Sequence, residues 1–247
     1  MSEVFIRYQS EGGIATITID RPAKRNALSV DVCDQLASAW KRFAEGDDRI
    51  AILTASNDVA FTAGADLNNP PPRFWEAVPG VGIPLDKPVI SAVSGLVIGA
   101  GILLVAMSDL CVAADNTRFY YPEARVGICA GMISTLAGRV PHKVAMELLL
   151  LGEMMSAQRA YEGGLINKVV PVGEHHAAAR AWAETLMAQA PLVHRLLKRL
   201  VAETLPRSPV EIQYHVQRQV NALLASDDAK EGPAAFLAKR PPRFTGQ

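Results

Sequence analysis

The sequence predicts an α/β fold that ends in an all-helical region, and three observations carry the prediction. Short β-branched or alternating runs recur between stretches of helical periodicity as far as about residue 170. Beyond Pro171 the periodicity is helical throughout. With 49% hydrophobic and 20% charged residues over 247 positions, the chain has enough apolar material for a substantial core and too little charge for a disordered one.

The elements follow in order. Val4 to Tyr8 and Ile14 to Ile19, with Glu11-Gly12-Gly13 between them, predict a β-hairpin. Ser29 is placed to cap a helix reaching about Ala44, because Val32, Leu36, Ala39, Trp40 and Phe43 recur at helical spacing. Ile50 to Ala55 is a short apolar strand. Residues 68–82 are rich in Pro and Gly and predict a loop with at most a brief helix around Phe74. Val89 to Val93 is again a strand, followed by Gly95 and by Gly99-Ala100-Gly101 leading into a helix. The apolar run Leu96 to Met107 is too short to cross a bilayer and reads as a buried element. Leu110 to Ala114 and Arg118 to Tyr120 are strands, Gly131 opens a further helix, and a strand from Ile166 to Val170 closes the series. In the helical remainder, Ser208-Pro209-Val210-Glu211 combines an N-cap, a proline at the first helical position and a glutamate three residues on. The change of composition falls between 171 and 190. It divides the chain into a 1–190 core and a 191–247 helical region.

Bulk charge and cysteine usage narrow the function classes. A formal net charge of zero argues against a long-range positive field for nucleic acid or anionic membrane, so neither partner is expected. Neutrality also fits a surface partly hidden in an oligomer. Cys33, Cys111 and Cys129 are odd in number and lack C-x-x-C spacing, which argues against a disulfide framework or zinc cage and for a reducing cytosol. The first residues show neither an apolar targeting core nor an Arg/Ser-rich amphipathic helix, so a cytoplasmic location is expected. The five histidines are scattered, and His175-His176 in its polar stretch reads as solvated surface. No pair has metal-ligand spacing, so no metal is expected. Cys129 has no base placed beside it and reads as a small buried hydrophobe.

Three segments could carry chemistry. In Phe61-Thr62-Ala63-Gly64-Ala65-Asp66-Leu67, a glycine between small residues lets ligand and backbone approach closely; the plainer reading is a tight turn capped by Asp66. In Gly95-Leu96-Val97-Ile98-Gly99-Ala100-Gly101, a glycine-flanked helix start offers unpaired N–H groups and the positive end of a helix dipole; the plainer reading is tight helix–sheet packing. It is neither a phosphate loop nor a complete dinucleotide fingerprint. In Tyr120-Tyr121-Pro122-Glu123-Ala124-Arg125, an apolar setting would raise the pKa of Glu123 toward values useful in acid–base chemistry; the plainer reading is a salt bridge to Arg125.

Taken together and in this order, these segments resemble the crotonase superfamily, also called the enoyl-CoA hydratase/isomerase family. The resemblance covers nearly the whole chain. It includes Asp20 to Ser29, Phe61 to Leu67, Val93 to Gly101, Ser108-Asp109 to Ala114-Asp115, Pro122-Glu123, Ala157 to Val169, and Glu231 to Leu237 and on to Phe244.

The resemblance implies a crotonase-like spiral of repeated ββα units, with a C-terminal helical region that forms a homotrimer or a hexamer, as a dimer of trimers. It implies an acyl-CoA thioester substrate, with coenzyme A as part of the substrate and no separate cofactor. The thioester oxygen would lie between the backbone N–H groups of Ala65 and Ala100. Ala100 departs from the glycine common in the family, but the donor is backbone and survives. Contacts to coenzyme A would map to Lys24 and Arg25 near the phosphates, and to Ala63, Ala65, Asp66, Leu67 and Asn68 around adenine and pantetheine. Residues 69–85 would shape the acyl pocket, and the helix start at Gly131 would point N–H groups at the acyl group; an aspartate nucleophile of the dehalogenase branch, expected near Gly131, is missing. Of the two glutamates that family hydratases use, the second matches Glu123 and the first would fall on Leu103. One base implies Δ3,Δ2-enoyl-CoA isomerisation. The alternatives are a hydratase with a non-standard second group and a non-catalytic scaffold binding acyl-CoA or RNA.

Overall fold

The computed structural model describes residues 3–127 and 131–247; Cys129 lies outside them. Strands β1 (Ile6–Glu11) and β2 (Ile14–Ile19) pair antiparallel, with Glu11 opposite Ile14. Gly12 and Gly13 both take positive φ, 58° and 77°, as a primed two-residue hairpin turn requires. The hairpin thus begins at Ile6, and Val4 is exposed. Parallel strands β3 (Ile50–Ala55), β5 (Val89–Val93), β7 (Leu110–Ala114) and β10 (Lys168–Val170) extend a six-stranded sheet in the order β1-β2-β3-β5-β7-β10.

Each of the strands β3, β5 and β7 is followed at once by a strand of a second sheet. These are β4 (Ala60–Thr62), β6 (Leu96–Ile98) and β8 (Arg118–Tyr120), and β9 (Met155–Ser156) completes the order β4-β6-β8-β9. Helices α2 (Ala100–Ala106) and α3 (Glu123–Val126) follow β6 and β8. The result is the repeated ββα spiral. Strands β4 and β9 have three and two residues, too few to show an alternation in sequence.

Both faces of the large sheet are covered, which explains why its strands read as continuous apolar runs. Ala51, Leu53 and Ala55 of β3 enter the main core, where α1 (Val30–Glu45) buries Val32, Cys33, Leu36, Ala39, Trp40 and Phe43. The α1 N-cap is Ser29, whose hydroxyl accepts from the Val32 N–H at 3.4 Å. Ile50 and Ile52 of β3 point the other way, with Ile90, Ala92 and Val112, toward Ala179 and Ala183 of α6 (His175–Met187).

His175 corrects the expectation of a solvated pair. It lies four residues before Ala179 and eight before Ala183, so the helix stripe that must meet the sheet carries it inward. It is 2% exposed, its ring 4.2 Å from that of His176. The segment Gly131–Gly138 forms 3-10 turns rather than the expected α-helix. α4 (His142–Leu151) and α5 (Ala157–Glu162) precede β10, and α7 (Pro191–Thr204), α8 (Pro209–Leu224) and α9 (Asp227–Leu237) end the chain. Among the described residues no helix is long and apolar enough to cross a membrane.

Burial, with the neighbouring His176 charge, lowers the His175 pKa to about 4, against a weaker opposite pull from Asp58. The unfolded state therefore binds the extra proton between about pH 6.5 and 4, and stability is lost as pH falls through that window. Urea unfolding at pH 7 and pH 4.5 should show His175 costing roughly 2–3 kcal/mol at the lower pH. The His175→Leu variant should lack that share of the pH dependence; an unchanged difference between the two pH values would refute it.

Candidate active site

Three segments meet because glycines leave room for backbone. β6 lies between β4 and β8, with Ile98 opposite Tyr120, so the chain leaving β8 runs beside Gly99. The Gly99 N–H donates to the Tyr120 carbonyl at 2.9 Å. Gly99 has φ 54°, and a Cβ there would lie 2.7 Å from Glu123 Oε1. A Cβ on Gly64 would come within 3.0 Å of the Ile98 carbonyl oxygen, and one on Gly101 within 2.3 Å of the Thr62 methyl. Residues 62–64 therefore pack on 98–101, and Glu123 packs on Gly99.

Two backbone donors in this cluster meet no acceptor among the described residues. Ala100 is the first residue of α2 and precedes the first helical hydrogen bond, made by the Ile102 N–H to the Gly99 carbonyl. At Ala65 the flanking groups are used, since Leu28 donates to the Gly64 carbonyl at 2.8 Å and Asp66 donates to the Leu28 carbonyl at 2.9 Å. The Ala65 N–H itself meets no backbone acceptor among the described residues, and Ala65 is exposed.

A strap of residues 21–28 holds this region. Asn26, fully buried and left-handed at φ 57°, donates from Nδ2 to the Ala60 carbonyl at 2.8 Å and accepts at Oδ1 from the Arg21 N–H at 2.8 Å. Its carbonyl accepts from the Thr62 hydroxyl at 2.7 Å. Arg25 is left-handed too, and its carbonyl accepts from the Ala63 N–H at 2.9 Å. The Lys24 and Arg25 side chains are exposed on the same strap; Leu67 and Asn68 are exposed too, and Ala63, bonded to the Arg25 carbonyl, is half-buried. The Asp66 carboxylate is already committed. Arg21 binds it at 2.7 Å and, with the Asn68 N–H at 3.1 Å, holds it below the usual carboxylate range. Sequence reasoning did not single out Arg21 or Asn26. An asparagine between a strand and a helix cap, tolerant of the left-handed region, was the available signal.

Glu123 stands apart from the charged groups around it. The plainer reading of a pair with Arg125 is not what forms, for Arg125 reaches back to the Leu151 carbonyl at 3.4 Å. Burial pushes the Glu123 carboxyl up to about 6, its own N–H opposing. Oε2 is buried without a hydrogen-bond partner among the described residues. Leu103, one turn into α2, is 2% exposed in the main core. Gly131 is exposed at the start of its 3-10 segment, where a Cβ would touch Val210 of α8 at 3.4 Å. A carboxyl with its pKa raised to about 6, against Gly99 at the start of α2, can take up and return a proton while backbone N–H groups such as that of Ala100 hold a developing negative charge.

The tightest of these contacts makes a test. Gly99→Ala should displace the Glu123 carboxylate without unfolding the chain, moving its pKa as read by carbon NMR and cutting turnover about a hundredfold. A variant with an unmoved Glu123 titration would show the contact to be unimportant.

Comparisons with known proteins agree on one family. A model described as enoyl-CoA hydratase/isomerase matches residues 9–78 and 80–247. A carnitinyl-CoA dehydratase of Salmonella enteritidis is 34% identical over 96% of this chain and 96% of its own. The crystal structure of a carnitinyl-CoA hydratase from Mycobacterium avium superposes with a TM-score of 0.77 at 34% identity, covering both chains fully. An enoyl-CoA hydratase/isomerase from Mycobacterium paratuberculosis does so with a TM-score of 0.74 at 30% identity, again over both full chains. With its spiral of ββα units, this chain belongs to the enoyl-CoA hydratase/isomerase family and is an enzyme of the crotonase superfamily.

Proposed function

We propose that the chain isomerises a Δ3-enoyl-CoA to the Δ2 isomer, with Glu123 as its single acid and base. The observation that carries this reading is the Glu123 carboxylate packed against Gly99, one residue before the Ala100 N–H, which has no partner among the described residues, while Leu103 fills the position of a second carboxylate with hydrocarbon. The thioester oxygen accepts from the Ala65 and Ala100 N–H groups. Glu123 removes a proton from Cα and the C–H electron pair passes onto the thioester oxygen, giving a dienolate conjugated with the Cβ=Cγ bond; the protonated Glu123 then returns the proton at Cγ as the pair flows back to leave a Cα=Cβ bond. No water is added, so one carboxyl suffices. Lys24 and Arg25 face the phosphates of coenzyme A, Ala63, Leu67 and Asn68 flank the rest of that group, and Asp66 contributes through backbone because its carboxylate is held by Arg21.

The names of the relatives favour a second reading, removal of water from a 3-hydroxyacyl-CoA or its reverse. There Glu123 would take the Cα proton and deliver it to the departing hydroxyl. Incubation with a 3-enoyl-CoA, with crotonyl-CoA and with carnitinyl-CoA separates the readings. Double-bond migration alone is expected, and rapid hydration or dehydration would favour the second. Binding of coenzyme A without turnover of any substrate would indicate a scaffold.

Glu123→Gln should lower kcat about a hundredfold or more, since a placed base contributes on that order. Because the base must be ionised, kcat/KM should climb through about pH 6 and level above it. A profile flat from pH 5 to 7 would remove Glu123 from the role.

We propose further that residues 191–247 join copies of the chain into a trimer or hexamer. Leu192, Leu196 and Leu200 form an exposed stripe on α7, an unusual expanse for a lone chain. Sedimentation should show three or six copies, and Leu196→Glu should release monomers; a monomeric wild type would defeat the reading.

A further inference from the structure

A cavity of about 910 Å³ opens between the C-terminal half of α2, the start of β7 and helices α7 and α8. None of Glu123, Ala65 and Ala100 lines it, although Val81 and Leu85 come from the 69–85 segment expected to shape the acyl pocket. Its size is that of a small-molecule site. Val81, Leu85, Val105 and Leu165 give it apolar walls, and basic side chains gather round them.

The charges are unbalanced. Each carboxylate in the lining is spent on a neighbour: Asp86 on Arg195 at 2.9 Å, Asp109 on Lys198 at 2.7 Å, and Glu211 on Arg139 at 3.3 Å. Lys87 donates to the Phe43 and Gly46 carbonyls at the end of α1, and Arg207 to the Ala202 carbonyl at 3.1 Å. Arg199, Arg207 and Arg218 have no carboxylate among the described residues. Arg218, half-buried on α8, donates to the Val81 carbonyl at 3.0 Å and to His215 Nδ1 at 2.8 Å. Its guanidinium is destabilised by burial and by Arg207 nearby. In a chain of zero net charge, this concentration of unmatched positive charge is local, and an anion placed among these groups would relieve both burial and repulsion.

We propose that this cavity binds an organic anion with an apolar body, its anionic head on Arg207 and Arg218 and its chain against Val81, Leu85 and Val105. Arg195, Lys198 and Ala202 lie three and four residues apart on the α7 face that lines the cavity, while Arg199, three residues after Leu196, lies at the edge where that face meets the apolar stripe of Leu192, Leu196 and Leu200.

Calorimetric titration of the full chain with decanoate, decan-1-ol and inorganic pyrophosphate tests this. Decanoate should bind once per chain and more tightly than either of the others, which each supply half of the chemistry. Arg207→Gln with Arg218→Gln should weaken decanoate about tenfold or more, as loss of charge-assisted hydrogen bonds does, and leave basal enoyl-CoA turnover unchanged. Should that pair unfold, exposed Arg199→Gln with Arg207→Gln takes its place, with a weaker loss expected. Glu123→Gln should bind decanoate as the wild type does, which separates this cavity from the acyl site and makes the outcome independent of the proposed reaction. No decanoate binding, as when a second copy fills the cavity, would overturn the proposal. So would equal affinity for decan-1-ol or pyrophosphate, affinity indifferent to the arginines, or loss of binding in Glu123→Gln.

Discussion

Everything at the candidate site depends on backbone passing close to other groups between Val93 and Gly101. A Cβ on Gly95 would lie 2.1 Å from the Val59 carbonyl oxygen, so only glycine lets the chain cross from the large sheet to the small one there. Four residues on, Gly99 admits the Glu123 carboxylate, and Gly101 admits the Thr62 methyl. Positive φ at Gly95 and Gly99 adds a second reason, since other residues take those conformations at a cost. One short segment thus fixes the spacing of three successive turns of the spiral. The glycines carry no chemistry themselves; they determine which groups can be neighbours.

Glu123 gains its character from the same packing. A carboxylate on an open surface would be hydrated, and one beside a guanidinium would be held ionised, as Asp66 is by Arg21. Glu123 has neither, and its pKa rises toward neutrality. An unpartnered, partly desolvated carboxylate costs stability, and such costs gather where a group must be ready to take a proton. Leu103 belongs to the same balance. A second carboxylate there would add like charge and raise the cost again, whereas leucine adds to the core. The contrast between Asp66 and Glu123 follows from where the nearest arginine can reach.

Much of the fold was legible because burial writes periodicity into long elements. α1 shows its inward face in the sequence, and β3 and β5 read as apolar runs because both sides are covered. The short strands β4 and β9 were not read, since two or three residues display little period and their pairing is set by neighbours far along the chain, although β8, as short as β4, was. His175 was misread for a related reason: its polarity suggested solvent, while the small alanines that follow on its stripe decided its burial. At the site, the glycines and Glu123 stood out as residue types, with the family resemblance assigning their roles. The bond from Arg21 to Asp66 spans 45 residues and left no local mark, and neither did the gathering of arginines from α7 and α8 around one cavity.

The last helices show polar and apolar contacts dividing labour in the opposite sense to the core. After α9 the chain folds back: Asp228 accepts from the Thr245 and Gly246 N–H groups, and Glu231 accepts from the Arg243 N–H at 2.7 Å while pairing with Arg240. Arg240 and Arg243 hold the Glu231 carboxyl down to about 2. These bonds are exposed, so each adds little stability, yet together they fix the path of the tail. Phe236, Leu237 and Phe244 are then left outward, 82%, 81% and 60% exposed. In the core, apolar burial holds the elements and polar groups adjust them. Here polar contacts set the geometry and the apolar side chains remain unspent, so folding of this region alone does not use its hydrophobic free energy. That surplus is the physical reason for reading the helical end as a surface that is completed by association.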